Sequence, residues 1–145
     1  MVNKICTSIE QSKKLIELGI DVNTADMFWD TFFAKKPEAQ VDNHHFIDKI
    51  DKHRVPAWSL SALLKLIKSE FYGETIYGDT ITYKVNFRKF KFTNNVDLYQ
   101  IAYGSIKFEE DGQYSFKDMV NTGQTEDPID AAFQMVVWLK ENGKI

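Results

Sequence analysis

Apolar and polar positions along the chain mark out a series of short elements. Ile9, Leu15 and Ile16 form one helical stripe with Ser12 in its gap. Thr7 and Glu10 have the spacing of a capping box, and Ser8 with Gln11 repeats it one residue later. Gly19 falls where a left-handed residue closes a helix, and Ile20 can fold back onto Leu15. A helix beginning near Thr7 follows. The run Ala25, Phe28, Trp29, Phe32 and Phe33 fits a short second helix capped by Asn23 or Thr24, and equally an aromatic-rich strand. Pro37 and the polar residues up to Asn43 read as a loop, and residues 44 to 50 fit helix or strand. Pro56 opens a third segment, in which Ser59 is the N-cap and Leu60, Leu63, Leu64 and Ile67 share one helical face. Gly73 is expected to end the turn after it.

The period then changes to two. Ile81, Tyr83, Val85 and Phe87 alternate with Thr82, Lys84, Asn86 and Arg88, which predicts a half-buried strand starting from about Thr75. Phe90 and Phe92 stand out of phase with that series, so a β-bulge is expected near Arg88-Lys89. Asn94-Asn95 is a turn signal. Tyr99, Ile101 and Tyr103 continue as a strand whose phase slips at Gly104-Ser105 before Ile106 and Phe108, the mark of a bulge or bend. Glu110-Asp111-Gly112 makes a hairpin turn into a strand with Tyr114, Phe116 and Val120. Asp127 caps a last helix with Pro128 at its first position, and Asp130 sits in the first turn where the helix dipole favours negative charge. Its wide apolar face runs through Ile129, Ala132, Phe133, Val136 and Val137, with Met135, Trp138 and Leu139 beside it, and stops at Gly143. These elements predict an α+β fold spanning residues 1–145 as one domain. An antiparallel meander of three or more strands carries N-terminal, middle and C-terminal helices packed on it. The odd-numbered residues from Ile81 to Phe87 and the terminal helix are expected to seal each other from water.

Composition narrows the functional classes. A length of 145 residues with 43% hydrophobic and 14% aromatic residues supplies a core and excludes a disordered chain. Eighteen basic against 21 acidic residues, a formal charge of −3, disfavour nucleic acid as a partner, since phosphate neutralisation calls for a basic excess. The one cysteine, Cys6, can form no internal disulfide. The first residues lack the apolar run of a signal peptide, and no window approaches the length of a membrane span. A cytoplasmic protein without membrane insertion is therefore expected.

Chemical signatures are sparse. His44-His45, with His53 and Asp48 or Asp51, lack the spacing of known metal motifs, so no metal is expected. No glycine-rich phosphate loop is present, and no cofactor is implied. Cys6 near a helix start could be a nucleophile, although a small buried hydrophobe is the plainer reading. Glu109, Glu110 and Asp111 fall in an expected turn, where they solubilise. The basic stretch Lys84, Arg88, Lys89 and Lys91, interleaved with Tyr83, Phe87, Phe90 and Phe92, is the best anion-binding candidate, beside the simpler reading of a wet strand face. Trp58 precedes a helix start at Ser59, where backbone N–H groups can receive an anion. The candidate ligand site is accordingly Lys84, Arg88, Trp58 and Ser59. Trp29, Phe32 and Trp138 are candidate partner-binding residues, with core packing as their default role.

Three stretches carry a family resemblance. They are Thr7-Ser8-Ile9-Glu10-Gln11-Ser12-Lys13-Lys14-Leu15 running into Thr24-Ala25-Asp26-Met27; Pro56-Ala57-Trp58-Ser59-Leu60-Ser61-Ala62-Leu63-Leu64; and Asp127-Pro128-Ile129-Asp130-Ala131-Ala132 ending in Val137-Trp138-Leu139-Lys140-Glu141-Asn142-Gly143. The chain resembles a family of small uncharacterised proteins carried by phages and integrated mobile elements of gut bacteria. The likeness covers both ends and the middle, while residues 27–54 and the long basic strand depart from it. Its motifs have no assigned chemistry. The resemblance implies an accessory protein in the cytoplasm of a bacterial host that binds and neutralises a host component, and thus an anti-defence candidate. The expected partner is a host protein or a small phosphorylated ligand. Two alternatives stand beside it: a small hydrolase using Cys6 or a His/carboxylate pair, and an assembly protein forming a homo-oligomer that buries Trp138.

Overall fold

The computed structural model describes residues 4–31, 38–41 and 54–145. Among these residues the chain forms three α-helices and two antiparallel sheets of three and four strands, an α+β arrangement. Helix α1 (Ile9–Glu17) uses the later of its two capping registers. Ser8 Oγ accepts from the Gln11 N–H at 3.1 Å, and the Gln11 side-chain oxygen accepts from the Ser8 N–H at 3.0 Å. Thr7 is not free to cap. It is fully buried, its hydroxyl 2.7 Å from that of Ser12 and accepting the Trp58 backbone N–H. The helix stops as its sequence requires: Gly19 is left-handed at φ +88°, and the Ile20 N–H returns to the Leu15 carbonyl at 3.0 Å.

The small sheet has strand order β2-β1-β3, with β1 Met27–Asp30, β2 Glu38–Val41 and β3 Arg54–Ala57. The aromatic run from Met27 is thus a strand as far as Asp30. Asn23 and Thr24 lie in a short 3-10 turn (Val22–Thr24) capped by Asp21, and they start no α-helix. Two other expectations are corrected. Glu38–Val41 is a strand where a loop was expected, because Ala39 and Gln40 find ladder partners in Trp29 and Phe28. Pro56 lies inside β3, opposite Phe28, and opens no segment; β3 is an edge strand, where a missing N–H is tolerated. Cys6, Met27 and Ala57 are buried together on this sheet, with Trp29 and Ala39 packed beside them. Phe32, Phe33, Pro37 and the stretch from residue 42 to 53, with all three histidines, fall outside the described residues.

The larger sheet is a four-stranded meander in the order β4-β5-β6-β7: β4 Glu70–Glu74, β5 Thr80–Thr93, β6 Val96–Phe108 and β7 Tyr114–Asn121. It begins before Thr75, and Gly73 is inside β4 where it faces Ile81; a Cβ there would meet the Tyr83 ring at 2.6 Å. No bulge occurs at Arg88-Lys89. The β5–β6 pairing runs unbroken from Lys84↔Gly104 to Lys91↔Asp97 and shifts only between Lys91 and Thr93, beside the Asn94-Asn95 turn. Phe87 and Phe90 therefore lie on opposite faces. The slip expected at Gly104 is present, with the extra residue, Met119, on β7: Tyr103 pairs with Val120 and Gly104 with Asp118.

Helix α3 (Pro128–Glu141), capped by Asp127, packs on β6, helix α2 (Leu60–Leu66), capped by Ser59, lies against α3, and α1 sits against β3 while adding Leu15 to the same core. Leu15, Trp58, Leu63, Ile129, Ala132, Met135, Val136 and Leu139 are buried in one cluster with Phe71, Ile101 and Tyr103. Tyr83 and Val85 pack against it, as the alternation predicts, but Phe87 is 55% exposed. Phe87 sits opposite buried Ile101 and borders an apolar hollow with Leu60 and Leu64, so α2 reaches it without closing over its ring.

Candidate functional site

At the end of the large sheet nearest the β4–β5 and β6–β7 turns, the two central strands part. Lys84↔Gly104 is their last ladder pair. Beyond it β5 pairs only with β4, and β6 only with β7, so the two hairpins form a fork. The slot between them has a volume of about 660 Å³ and is lined by Glu70, Ile81, Thr82, Lys84, Ser105, Ile106, Lys107 and Lys117. That volume is in the range of clefts that hold ligands.

Backbone direction follows from the register. The Val85 N–H donates to the Ser69 carbonyl, so odd residues of this part of β5 direct their N–H and C=O groups toward β4. Thr82 and Thr80, of opposite parity, direct theirs into the slot. On β6, Tyr99 exchanges backbone bonds with Thr125, and Ile101 accepts from the Thr122 N–H and donates to its hydroxyl, so even residues face β5. Ile106 and Phe108 therefore turn their amides into the slot from the other arm. Side chains alternate across the sheet plane: Lys84 stands on the face away from the helices, and Ser105 with its cross-strand neighbour Lys117 stands on the other. The slot thus passes through the sheet with cations at both mouths.

The electrostatics are one-sided. Lys84, Lys107 and Lys117 make no ion pair among the described residues, where the pairs are Lys4–Asp130, Arg88–Asp118 and Lys89–Asp97. The slot's one carboxylate, Glu70, accepts the Tyr72 hydroxyl at 3.2 Å. Three positive charges therefore face one negative charge, with the Thr82 and Ser105 hydroxyls among them. Both arms also carry large apolar side chains in water. Ile76 and Tyr77, at the turn after β4, are 93% and 85% exposed, and Ile106, Phe108 and Tyr114 are exposed on the other arm.

Of the residues expected to bind a ligand, only Lys84 lines this slot. Arg88 shares its face but is spent: both of its terminal nitrogens bond to the Asp118 carboxylate, and Nη1 also reaches Gln100 Oε1 at 3.3 Å. That bonding holds the Asp118 carboxyl below its usual range and raises the guanidinium further. Trp58 is fully buried in the core, its indole N–H donated to Thr24 Oγ1 at 2.9 Å. Ser59 caps α2 and is held by Asp26, which accepts both its N–H and its hydroxyl. Among the partner candidates, Trp29 donates its indole N–H to the Thr7 carbonyl at 2.8 Å, and Trp138 packs against the main cluster with its ring 6.1 Å from that of Phe71. Phe32 is outside the described residues. Lys107 and Lys117 carried no signal of their own, because each sits singly on its strand; only the fork brings them to Lys84.

Cys6 is buried, and burial, followed by the nearby Asp26 carboxylate, pushes its thiol up to about 11. It is protonated at neutral pH, the opposite of an activated nucleophile. Among the described residues no group of three His, Cys, Asp or Glu side chains could hold a metal ion. No helix among them is long and apolar enough to cross a membrane. No protein-family model, curated protein or solved structure matches the chain.

Proposed function

We propose that the protein is a non-catalytic accessory protein of a phage or mobile element, which binds an anionic component of its bacterial host and withholds it from its normal partners. The binding site is the slot between the hairpins. The observation that carries this reading is the unbalanced charge there: Lys84, Lys107 and Lys117 face Glu70 alone. Unpaired cations at a cleft attract multivalent anions, and low-dielectric walls such as Ile81 and Ile106 strengthen the attraction. Phosphorylated small molecules and carboxylate-rich protein segments both present that chemistry. The hydrolase alternative loses its thiol to burial at Cys6.

Thermal unfolding in the presence of inorganic pyrophosphate, nucleoside diphosphates and oligoglutamate tests the proposal, because a ligand that binds only the native fold raises its melting temperature with concentration. A rise with at least one of these anions, weakening as salt is added, is expected. Unchanged melting temperatures with every anion at low salt refute it.

A further inference from the structure

The charge of the slot would suit any multivalent anion, but its backbone is more selective. We infer that the slot receives an extended, acidic segment of a partner protein, which adds as a strand between the two hairpins. This deepens the proposed function and rests on the slot being an anion site.

Three observations converge. The Thr82 amide group on one arm and the Ile106 amide group on the other are the next rungs of the β5–β6 ladder after Lys84↔Gly104, and each lacks its partner across the fork. Strand edges of this kind are templates for an incoming strand. Charge then selects the strand: with Lys84 on one face of the sheet and Lys117 on the other, successive side chains of an extended segment meet a cation on whichever side they point. Apolar side chains on the arms, Ile106 and Phe108 among them, lie where the segment's flanks would cover them. A free phosphate would engage the lysines but use neither the two open strand edges nor the apolar side chains. Because β5 and β6 are antiparallel, the inserted strand lies antiparallel to one arm and parallel to the other, and about four residues span the arm from Thr80 to Tyr83.

The test uses the full chain and a fluorescent peptide of about eight residues with Glu at successive central positions and Val at both flanks, a length that covers the slot. Its control is the same peptide N-methylated at alternate residues, which keeps the charge and removes ladder donors. The expected result is binding of the plain peptide, loss of at least about tenfold in affinity on methylation, and loss in a Lys84→Glu/Lys117→Glu double variant. Hydrogen exchange of the unaltered protein gives a readout independent of that variant's folding: the Thr82 and Ile106 amides gain protection when the peptide is added. Equal binding of the methylated peptide, or no gain of protection, overturns strand addition. Binding of pyrophosphate without peptide binding also overturns it, yet leaves anion capture standing. If neither binds, both readings fall.

Discussion

Gly104→Ala is the sharpest perturbation the fold offers. Gly104 stands at the base of the fork, paired with Lys84 on one side and Asp118 on the other. A Cβ added there would lie 2.2 Å from the Lys117 carbonyl oxygen and 2.6 Å from the Phe116 ring. The ring can turn aside, but the carbonyl is backbone, so β7 must retreat by about 1 Å to reach ordinary contact, which forfeits the ladder bonds beside the bulge. Overpacking strain of about 1–3 kcal/mol and one or two lost hydrogen bonds of about 1 kcal/mol each give a destabilisation of about 3 kcal/mol. The smaller conformational freedom of alanine in the unfolded chain recovers less than about 1 kcal/mol of this. Urea unfolding followed by tryptophan fluorescence reports it directly, since Trp58 and Trp138 both belong to the main core. At a slope of about 1–3 kcal/mol per molar urea, the midpoint should fall by roughly 1–3 M. Gly78→Ala is the contrast: its φ is +82° but nothing lies within 4 Å, so only the left-handed backbone cost of about 1–2 kcal/mol applies. If Gly104→Ala unfolds at the wild-type midpoint, or loses less than Gly78→Ala, the close approach of β6 and β7 is wrong.

Other consequences can be checked in the same unfolding assay. The Arg88 and Asp118 side chains are only 23% and 24% exposed, so Asp118→Asn should cost about 1–2 kcal/mol, between the values of surface and buried pairs. The Asp118 carboxyl is lowered by its bond to Arg88, so its contribution is present above the ordinary unfolded carboxylate pKa and is lost as pH falls through the lower folded one. The wild type should lose part of its stability in that acid range and Asp118→Asn should not; identical acid limbs would refute the pairing. Ser59→Ala removes the α2 cap and strips Asp26 of a hydroxyl donor, for an expected loss of about 1–2 kcal/mol by calorimetry. Cys6, with its thiol raised to about 11, should resist a thiol reagent in the native protein and react on unfolding; rapid native labelling would contradict its burial.

Where one face of an element is buried, the sequence was a sound guide. The caps at Ser59 and Asp127, the stop at Gly19, the turn at Asn94-Asn95 and the apolar stripe of α3 all appear where local chemistry asks for them. The misreading of the large sheet has its source in β5. Its apolar residues change face after Phe87, and the pattern suggested a bulge that would keep them all buried. The strand stays regular, so Phe90 and Phe92 fall on the face that the helices do not cover and remain exposed. A reading that takes apolar to mean buried fails where large apolar side chains stand exposed, as Phe90 and Phe92 do. The slot was illegible for a different reason. Lys84, Lys107 and Lys117 are brought together by the strand register and the splay of the hairpins, neither of which is a local property of sequence.

The fork also bears on self-association. Open inner edges on both arms would let two copies grip each other arm in slot, the first step of a fibre. Each such embrace would crowd several ammonium groups together with little acid to offset them. Neutralising the lysines, for example to methionine, would remove that repulsion and favour concentration-dependent clumping.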